Sequence, residues 1–223
     1  MENKIINECT IERCFGERFI GCGAKNIRIT INGTPGNALG AYLDGGIIEV
    51  NGNAQDAVGD TMNDGRIIVH GSVGDGLGYA MRGGSIFIRD NAGYRSGIHM
   101  KEYEEKKPAI VIGGKVGSFL GEYLAGGLIV VLGINAVDIP VGNFTGTGMH
   151  GGKIFIRTNA QLPPLPKQVV AEIASGEELG EIAPHVCEYA GYFSMDPSRL
   201  MSDRYYVLKP NAKNHYKQLY TAY

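Results

Sequence analysis

Residues 44–62, 63–81 and 82–100 read DGGIIEVNGNAQDAVGDTM, NDGRIIVHGSVGDGLGYAM and RGGSIFIRDNAGYRSGIHM, and they lie under one another without a gap at a period of 19. Residues 25–43 (KNIRITINGTPGNALGAYL) fit the same register upstream. Downstream, 106–124 (KKPAIVIGGKVGSFLGEYL) fit once the five residues Lys101–Glu105 are set aside as an insertion. Residues 125–149 form a sixth copy carrying six extra residues between Ile134 and Thr145, and a seventh starts at His150 and fades after Ala160.

The columns of this alignment carry the physics. One column is Ile29, Ile48, Ile67, Ile86, Ile110, Ile129 and Ile154; two residues on stand Ile31, Val50, Val69, Ile88, Ile112, Val131 and Ile156. β-Branched residues two apart share one face of a strand, so each copy supplies a short strand with a buried face, and the copies stack that face into a core ladder. The intervening column (Glu49, Ile68, Phe87, Val111, Val130, Phe155) is mixed, as an outward or partly covered face is. A second invariant column is Gly40, Gly59, Gly78, Gly97, Gly121 and Gly146, followed three residues later by Leu43, Met62, Met81, Met100, Leu124 and Met149. Glycine at a fixed place in every copy marks a corner where φ is positive or chains approach closely, and the Leu/Met column fills the coil beside it.

A repeat of 19 residues is too short for a helix pair and suits one coil of a parallel β-helix. The leucine-rich L-x-x-L-x-L pattern is missing, and the spacing does not divide into hexapeptides. The expected fold is therefore mainly β: a single-stranded right-handed parallel β-helix of about seven coils, ~34 Å long at ~4.8 Å per coil, with a short α-helical C-terminal tail. Residues 1–24 are read as an N-terminal cap or first coil, 25–160 as the repeat, and 161–223 as linker and tail. After the stiff Gln161–Pro166 segment, helical periodicity is expected over Lys167–Ala174, over Glu177–Tyr192 with an interruption near Pro184, and over Asn211–Tyr220.

Composition bounds the function. Glycine is 34 of 223 residues, but only 9 are proline and 43% are hydrophobic, which excludes collagen-like and disordered chains. With 21 basic against 23 acidic residues the net charge is −2, which argues against a generic nucleic-acid binder. No secretory signal is read at the N-terminus, and the longest apolar run, Leu128–Ile134, is far shorter than a membrane span; a cytoplasmic protein that contacts neither nucleic acid nor membrane is expected. Cys9, Cys14, Cys22 and Cys187 match no zinc or haem spacing and are expected to be reduced thiols. His185 and Cys187 could share a metal, but nothing nearby in sequence completes a set.

Strings that mimic catalytic motifs fail on context. Gly74–Gly78 resembles part of a dinucleotide fingerprint but leads into a β turn, with no helix to receive a pyrophosphate. Gly151-Gly152-Lys153 lacks the Ser/Thr of a phosphate loop, Ile154 standing in its place. His70, His99 and His150 fall in different columns; Asp44, Asp64 and Asp75 do not occupy equivalent positions, as a polysaccharide-cleaving β-helix would need. Arg66, Arg82, Arg89 and Arg157 read as solvated faces or partner contacts. No catalytic, cofactor-binding or metal residue is assigned.

The 19-residue coil, its G-x-x-G-x-x-x-G rhythm, Ser96–Tyr103, Ile110–Gly114, Gly121–Gly127, Gly146–Gly152 and the ending Tyr206–Pro210 together resemble the GXGXG β-helix domain over residues 10 to 215. That domain forms the C-terminal part of the large subunit of glutamate synthase, and the free-standing form is the more similar; it also occurs in one of the subunits of formylmethanofuran dehydrogenase. The resemblance implies a non-catalytic scaffold linking an amidotransferase, whose N-terminal cysteine hydrolyses glutamine, to a synthase part carrying FMN and an iron–sulfur cluster. No cofactor is expected in this chain, and with Met1 first the amidotransferase cysteine is expected to be absent. Alternatives are the β-helix subunit of formylmethanofuran dehydrogenase, a methylamine–glutamate forming complex, and a carbohydrate-active β-helix. Insertions in solenoids often mark the binding face, which nominates Lys101, Glu102, Tyr103, Asp138, Asn143 and the Tyr-rich tail as interface, with a homo-oligomer open to the isolated chain.

Overall fold

The computed structural model describes residues 7–211. Eight strands stack in parallel, in chain order: β1 (Asn7–Phe15), β2 (Ile27–Thr34), β3 (Asp44–Asn51), β4 (Asp64–Val69), β5 (Ser85–Ile88), β6 (Ala109–Ile112), β7 (Ala125–Val131) and β8 (Gly151–Arg157). They make a parallel β-solenoid of about 7 turns. The isoleucines Ile29, Ile48, Ile67, Ile86, Ile110, Ile129 and Ile154 pair strand to strand, each directly on the next. From Ile48 onward these residues are fully buried, and with the Val/Ile column beside them they form the inner core. β1 adds a coil ahead of the repeats, Cys9 pairing with Ile29 and Ile11 with Ile31; a bulge between Ile11 and Cys14 then resets the register.

A second face is marked by isolated parallel bridges, Ala54 to Val73 and Ala92 to Val116 to Val141. Side chains stitch the loops here. Asn37, Asp56 and Asp75 each accept a backbone N–H from the next coil, the last two at 2.9 and 2.8 Å. Asn53 and Asn91 do the same for Ser72 and Lys115 at 2.8 Å. Such bonds satisfy backbone donors that a loop would otherwise leave to water.

The third face is the glycine corner. Each coil holds three left-handed residues at alternate positions, as in Arg95 (φ 56°), Gly97 (φ 71°) and His99 (φ 54°). The outer two send their N–H groups to the next coil, Arg95 to Ser118 O at 3.0 Å and His99 to Glu122 O at 2.9 Å. The central glycine sends its N–H back, Gly97 to Leu77 O at 2.7 Å. It also has to be glycine for room: a Cβ on Gly97 would lie 2.3 Å from Ile129 Cδ1. The same approach recurs between Gly40 and Ile67 and between Gly121 and Ile154, at 2.6 Å in both. It recurs too between Gly21 and Ile48 in the first coil, which the repeat alignment leaves out.

The tail differs from its expectation. Residues 167–174 are not helical; β9 (Val169–Ile173) is a strand, its Val-Val start favouring extended backbone once a partner is present. That partner is β10 (Tyr205–Pro210), also a strand, which lies antiparallel between β8 and β9 and closes the last coil. Helix α1 (Gly176–Tyr192) runs through Pro184 without a break. A proline removes one helix hydrogen bond and costs about 3 kcal/mol, but the packing of Ile182, Val186, Tyr189 and Ala190 opposes that cost. They cover the outward column Ile68, Phe87, Val111, Val130 and Phe155, together with Leu200 of α2 (Pro197–Met201). Ser175 and Glu178 close a reciprocal capping box at the start of α1. The helix expected over Asn211–Tyr220 lies, beyond Asn211, outside the described residues.

Candidate interaction surfaces and a polar groove

The first insertion folds back onto the solenoid. Lys101 donates its N–H to Met81 O at 3.0 Å, and Glu102 Oε1 accepts the Gly127 N–H at 3.1 Å. Tyr103 and Lys106 then pair antiparallel across Glu104, which takes φ 54° at the tip of a tight hairpin. Lys106 Nζ lies 3.7 Å from both Asp44 and Asp64 and donates to Asn63 O at 3.1 Å. Asp44 and Asp64, which the repeat alignment puts in different columns, are neighbours across β3 and β4, because the irregular register at the start of β3 brings them opposite; Asp75 is not part of the pair. The Lys25 ammonium beside Asp44 holds its carboxyl below the usual range.

Between this hairpin, β7, β8 and α1 lies a groove of about 500 Å³ lined by Glu102, Lys107, Gly127, Leu128, Gly152, Lys153, Glu181 and His185. Glu181 and His185 are four apart on one face of α1, a spacing legible in the sequence, and Lys153 pairs with Glu181 at 2.5 Å. Burial pushes the His185 imidazole below its ordinary value of 6.5; Glu188 opposes this and Arg66 adds to it. The unfolded chain therefore takes up this proton more readily than the folded one. Stability from this group is complete above the unfolded value and is lost as pH falls through the lower folded value. Thermal melts from about pH 7 down to about pH 5 are expected to show a falling midpoint that is flatter in His185→Gln; parallel curves for the two proteins would refute the assignment.

The second insertion lies entirely ahead of Val141, because the bridge between Val116 and Val141 already restores the coil. Asn143 is accordingly a repeat residue: its N–H bonds to Ser118 Oγ at 3.1 Å and its carbonyl accepts from Phe119 at 2.9 Å. Asp138 stays at the exposed loop, next to Val137, whose side chain is 94% exposed. The loop walls a cavity of about 310 Å³ with Arg157, Thr158, Asn159 and Asp203. Arg157 is spent on the fold, pairing with Asp203 and donating to Leu132 O at 2.9 Å. Arg66 likewise pairs with Glu188 of α1, and Arg89 with Asp90.

Aromatic side chains line the glycine corner. His99 stacks on Tyr123 with centroids 5.1 Å apart and planes 8° from parallel, and Tyr79 meets His99 edge-on at 6.0 Å. Phe119 stacks on Phe144 at 5.0 Å, and Arg95 lies 5.5 Å over the Phe119 ring. Tyr79, Tyr94, Tyr123 and Phe144 are exposed. Tyr, Phe and Arg in one exposed row are the composition of protein–protein anchors. This row was missed because its members are spread over four columns around the glycines, and none of those columns is uniform in residue type.

Among the described residues no three His, Cys, Asp or Glu side chains gather as a metal-holding group. Cys14 is buried, and burial with the adjacent Glu17 carboxylate pushes its thiol up to about 11, opposite to what a metal-bound thiolate requires. Among the same residues no helix is long and apolar enough to cross a membrane. The family profile described as GXGXG motif matches residues 5–209. The chain is also similar to an uncharacterized protein of Methanocaldococcus jannaschii, 42% identical over 229 residues that take in 99% of this chain and 88% of that one.

Proposed function

The chain belongs to the GXGXG family, whose domain is found in glutamate synthase, and from that premise we propose that it is a non-catalytic scaffold subunit of such an enzyme in the cytoplasm. It holds an amidotransferase subunit, which releases ammonia from glutamine, against a synthase subunit carrying FMN and an iron–sulfur cluster. The observation that carries this reading is the way the chain spends its chemistry. Asn37, Asn53, Asp56, Asp75 and Asn91 hold backbone N–H groups of the next coil, and Arg66 ties α1 to the strands. The surfaces left over are an exposed aromatic row, a hairpin and a loop. A scaffold needs a stiff body with anchors along its length, and a stack of coils joined by backbone bonds on every face provides one. In this reading the iron–sulfur cluster and the FMN sit in the partner.

Affinity purification from the native cell tests this directly. The expected result is an amidotransferase and a flavoprotein in stoichiometric yield, and loss of glutamine-dependent glutamate formation from extract depleted of this chain. Substitution of Tyr123 and Phe144 by alanine in the exposed row is expected to release the partners while the chain stays folded, each lost ring stack costing about 0.5–1.5 kcal/mol. Glutaminase activity or flavin absorbance in the pure chain would overturn the scaffold reading, and recovery with molybdopterin-binding subunits would move the scaffold to formylmethanofuran dehydrogenase.

A further inference from the structure

The groove beside α1 exists because the repeat is broken twice. One wall is the hairpin that follows Lys101 and the other is α1, and neither has a counterpart in the other coils. β7 and β8 supply the floor between them, where Leu128 is part-exposed. At about 500 Å³ the groove is larger than the two cavities on either side of Arg157, of about 460 and 310 Å³. Its charged wall is seated on two successive glycines. Glu102 lies across Gly126, where a Cβ would come within 2.8 Å of the Glu102 Cγ, and its Oε1 accepts the Gly127 N–H. Pro108, which follows Lys107, packs on Gly127, where a Cβ would stand 2.5 Å from the Pro108 carbonyl oxygen. The glycine pair thus fixes both the Glu102 carboxylate and the backbone that carries Lys107, and groups fixed in advance lose less freedom when a ligand arrives.

Only half of the charge in the groove is used by the fold. Lys153 is paired with Glu181, but among the described residues neither Glu102 nor Lys107 has an ionic partner, although both line the same space. Burial keeps the His185 imidazole uncharged at neutral pH, so it offers a hydrogen bond and no charge. Two cations and two carboxylates therefore sum to zero, with one of each sign left open. A purely cationic ligand would be repelled by Lys107 and a purely anionic one by Glu102. A molecule carrying both an ammonium and a carboxylate gains from each. The part-exposed Leu128 and the neutral His185 suit the rest of such a molecule to a side chain without net charge. A pocket with a few convergent polar groups and a buried, shifted imidazole is where a small ligand is to be sought.

We propose that this groove binds a free α-amino acid of no net charge, its ammonium on Glu102 and its carboxylate on Lys107. The site lies apart from the aromatic row and is complete within this chain, so it stands or falls independently of the scaffold reading. Calorimetric titration of the purified full chain with the neutral L-amino acids, one at a time, is expected to give saturable binding for at least one of them. The amide of that amino acid lacks the carboxylate and its N-acetyl derivative lacks the ammonium; each is expected to bind about tenfold more weakly or worse. Glu102→Gln keeps an acceptor for the Gly127 N–H, and Lys107→Met keeps an unbranched stem. Both variants are expected to retain the circular dichroism of the wild type and to lose about tenfold or more in affinity. The two derivatives test the charge match on the unaltered chain, whatever the variants do. Absence of binding by every neutral amino acid, a derivative that binds as well as its parent, or a folded variant of unchanged affinity would each overturn the proposal.

Discussion

Ile67→Asp is expected to leave a chain that does not fold cooperatively. Ile67 is fully buried, packed between Ile48 and Ile86 in the ladder. An ionised carboxylate there would have no cation and no donor, a cost beyond the roughly 5–15 kcal/mol by which domains are stable. Taking up a proton removes the charge, but the neutral group still lacks partners and the isoleucine packing is gone, so about 4 kcal/mol or more remains against folding. Ile67→Val keeps the shape of the ladder and is expected to cost about 0.5–1.5 kcal/mol. Circular dichroism and urea titration of the pair decide the matter. A cooperative transition for the aspartate variant close to that of wild type would mean that the ladder is not the core.

Gly97→Ala is expected to cost about 2–5 kcal/mol, from two sources that can be separated. A left-handed backbone with a Cβ costs about 1–2 kcal/mol, and the contact with Ile129 Cδ1 adds an overpacking term of about 1–3 kcal/mol. Ile129→Val removes Cδ1 and leaves Cγ1 at 3.4 Å, an acceptable distance. The double variant should therefore be more stable than the sum of the single losses by about 1–2 kcal/mol. Strict additivity in denaturant titrations would show that only the backbone conformation matters.

Much of the fold was legible because a solenoid repeats its environment at every coil. An isoleucine column can be read as a ladder without tertiary information, since each Ile needs only the same residue above and below. The three left-handed positions per coil were harder to see. Only the central one is glycine throughout; Ala57, Thr61, Arg95 and Phe119 adopt the same conformation with side chains that do not advertise it. Their strain is opposed by bonds to the next coil, which no single copy reveals. The register of the first coil, which the sequence offered only as a cap or first coil, was hidden by its bulge, which breaks the 19-residue spacing to β2. In the tail the 167–174 segment has a helical pattern locally, but Val169 and Val170 meet a strand that arrives more than thirty residues later in the chain. The groove around His185 joins residues from the hairpin, two strands and α1, so one stretch of sequence shows only the Glu181–His185 spacing and not the walls around it.

The placing of β10 between β8 and β9 also constrains how the protein is made. Each coil from β1 to β8 can dock on the one before it as it leaves the ribosome, because its partner already exists. β9 emerges next and has nowhere to go: the edge of β8 belongs to β10, which is synthesised later. At about 5–20 residues per second, the finished coils wait with an open edge on the order of seconds. During that interval β8 is the surface that a chaperone, or a neighbouring nascent chain on the same message, has the opportunity to engage.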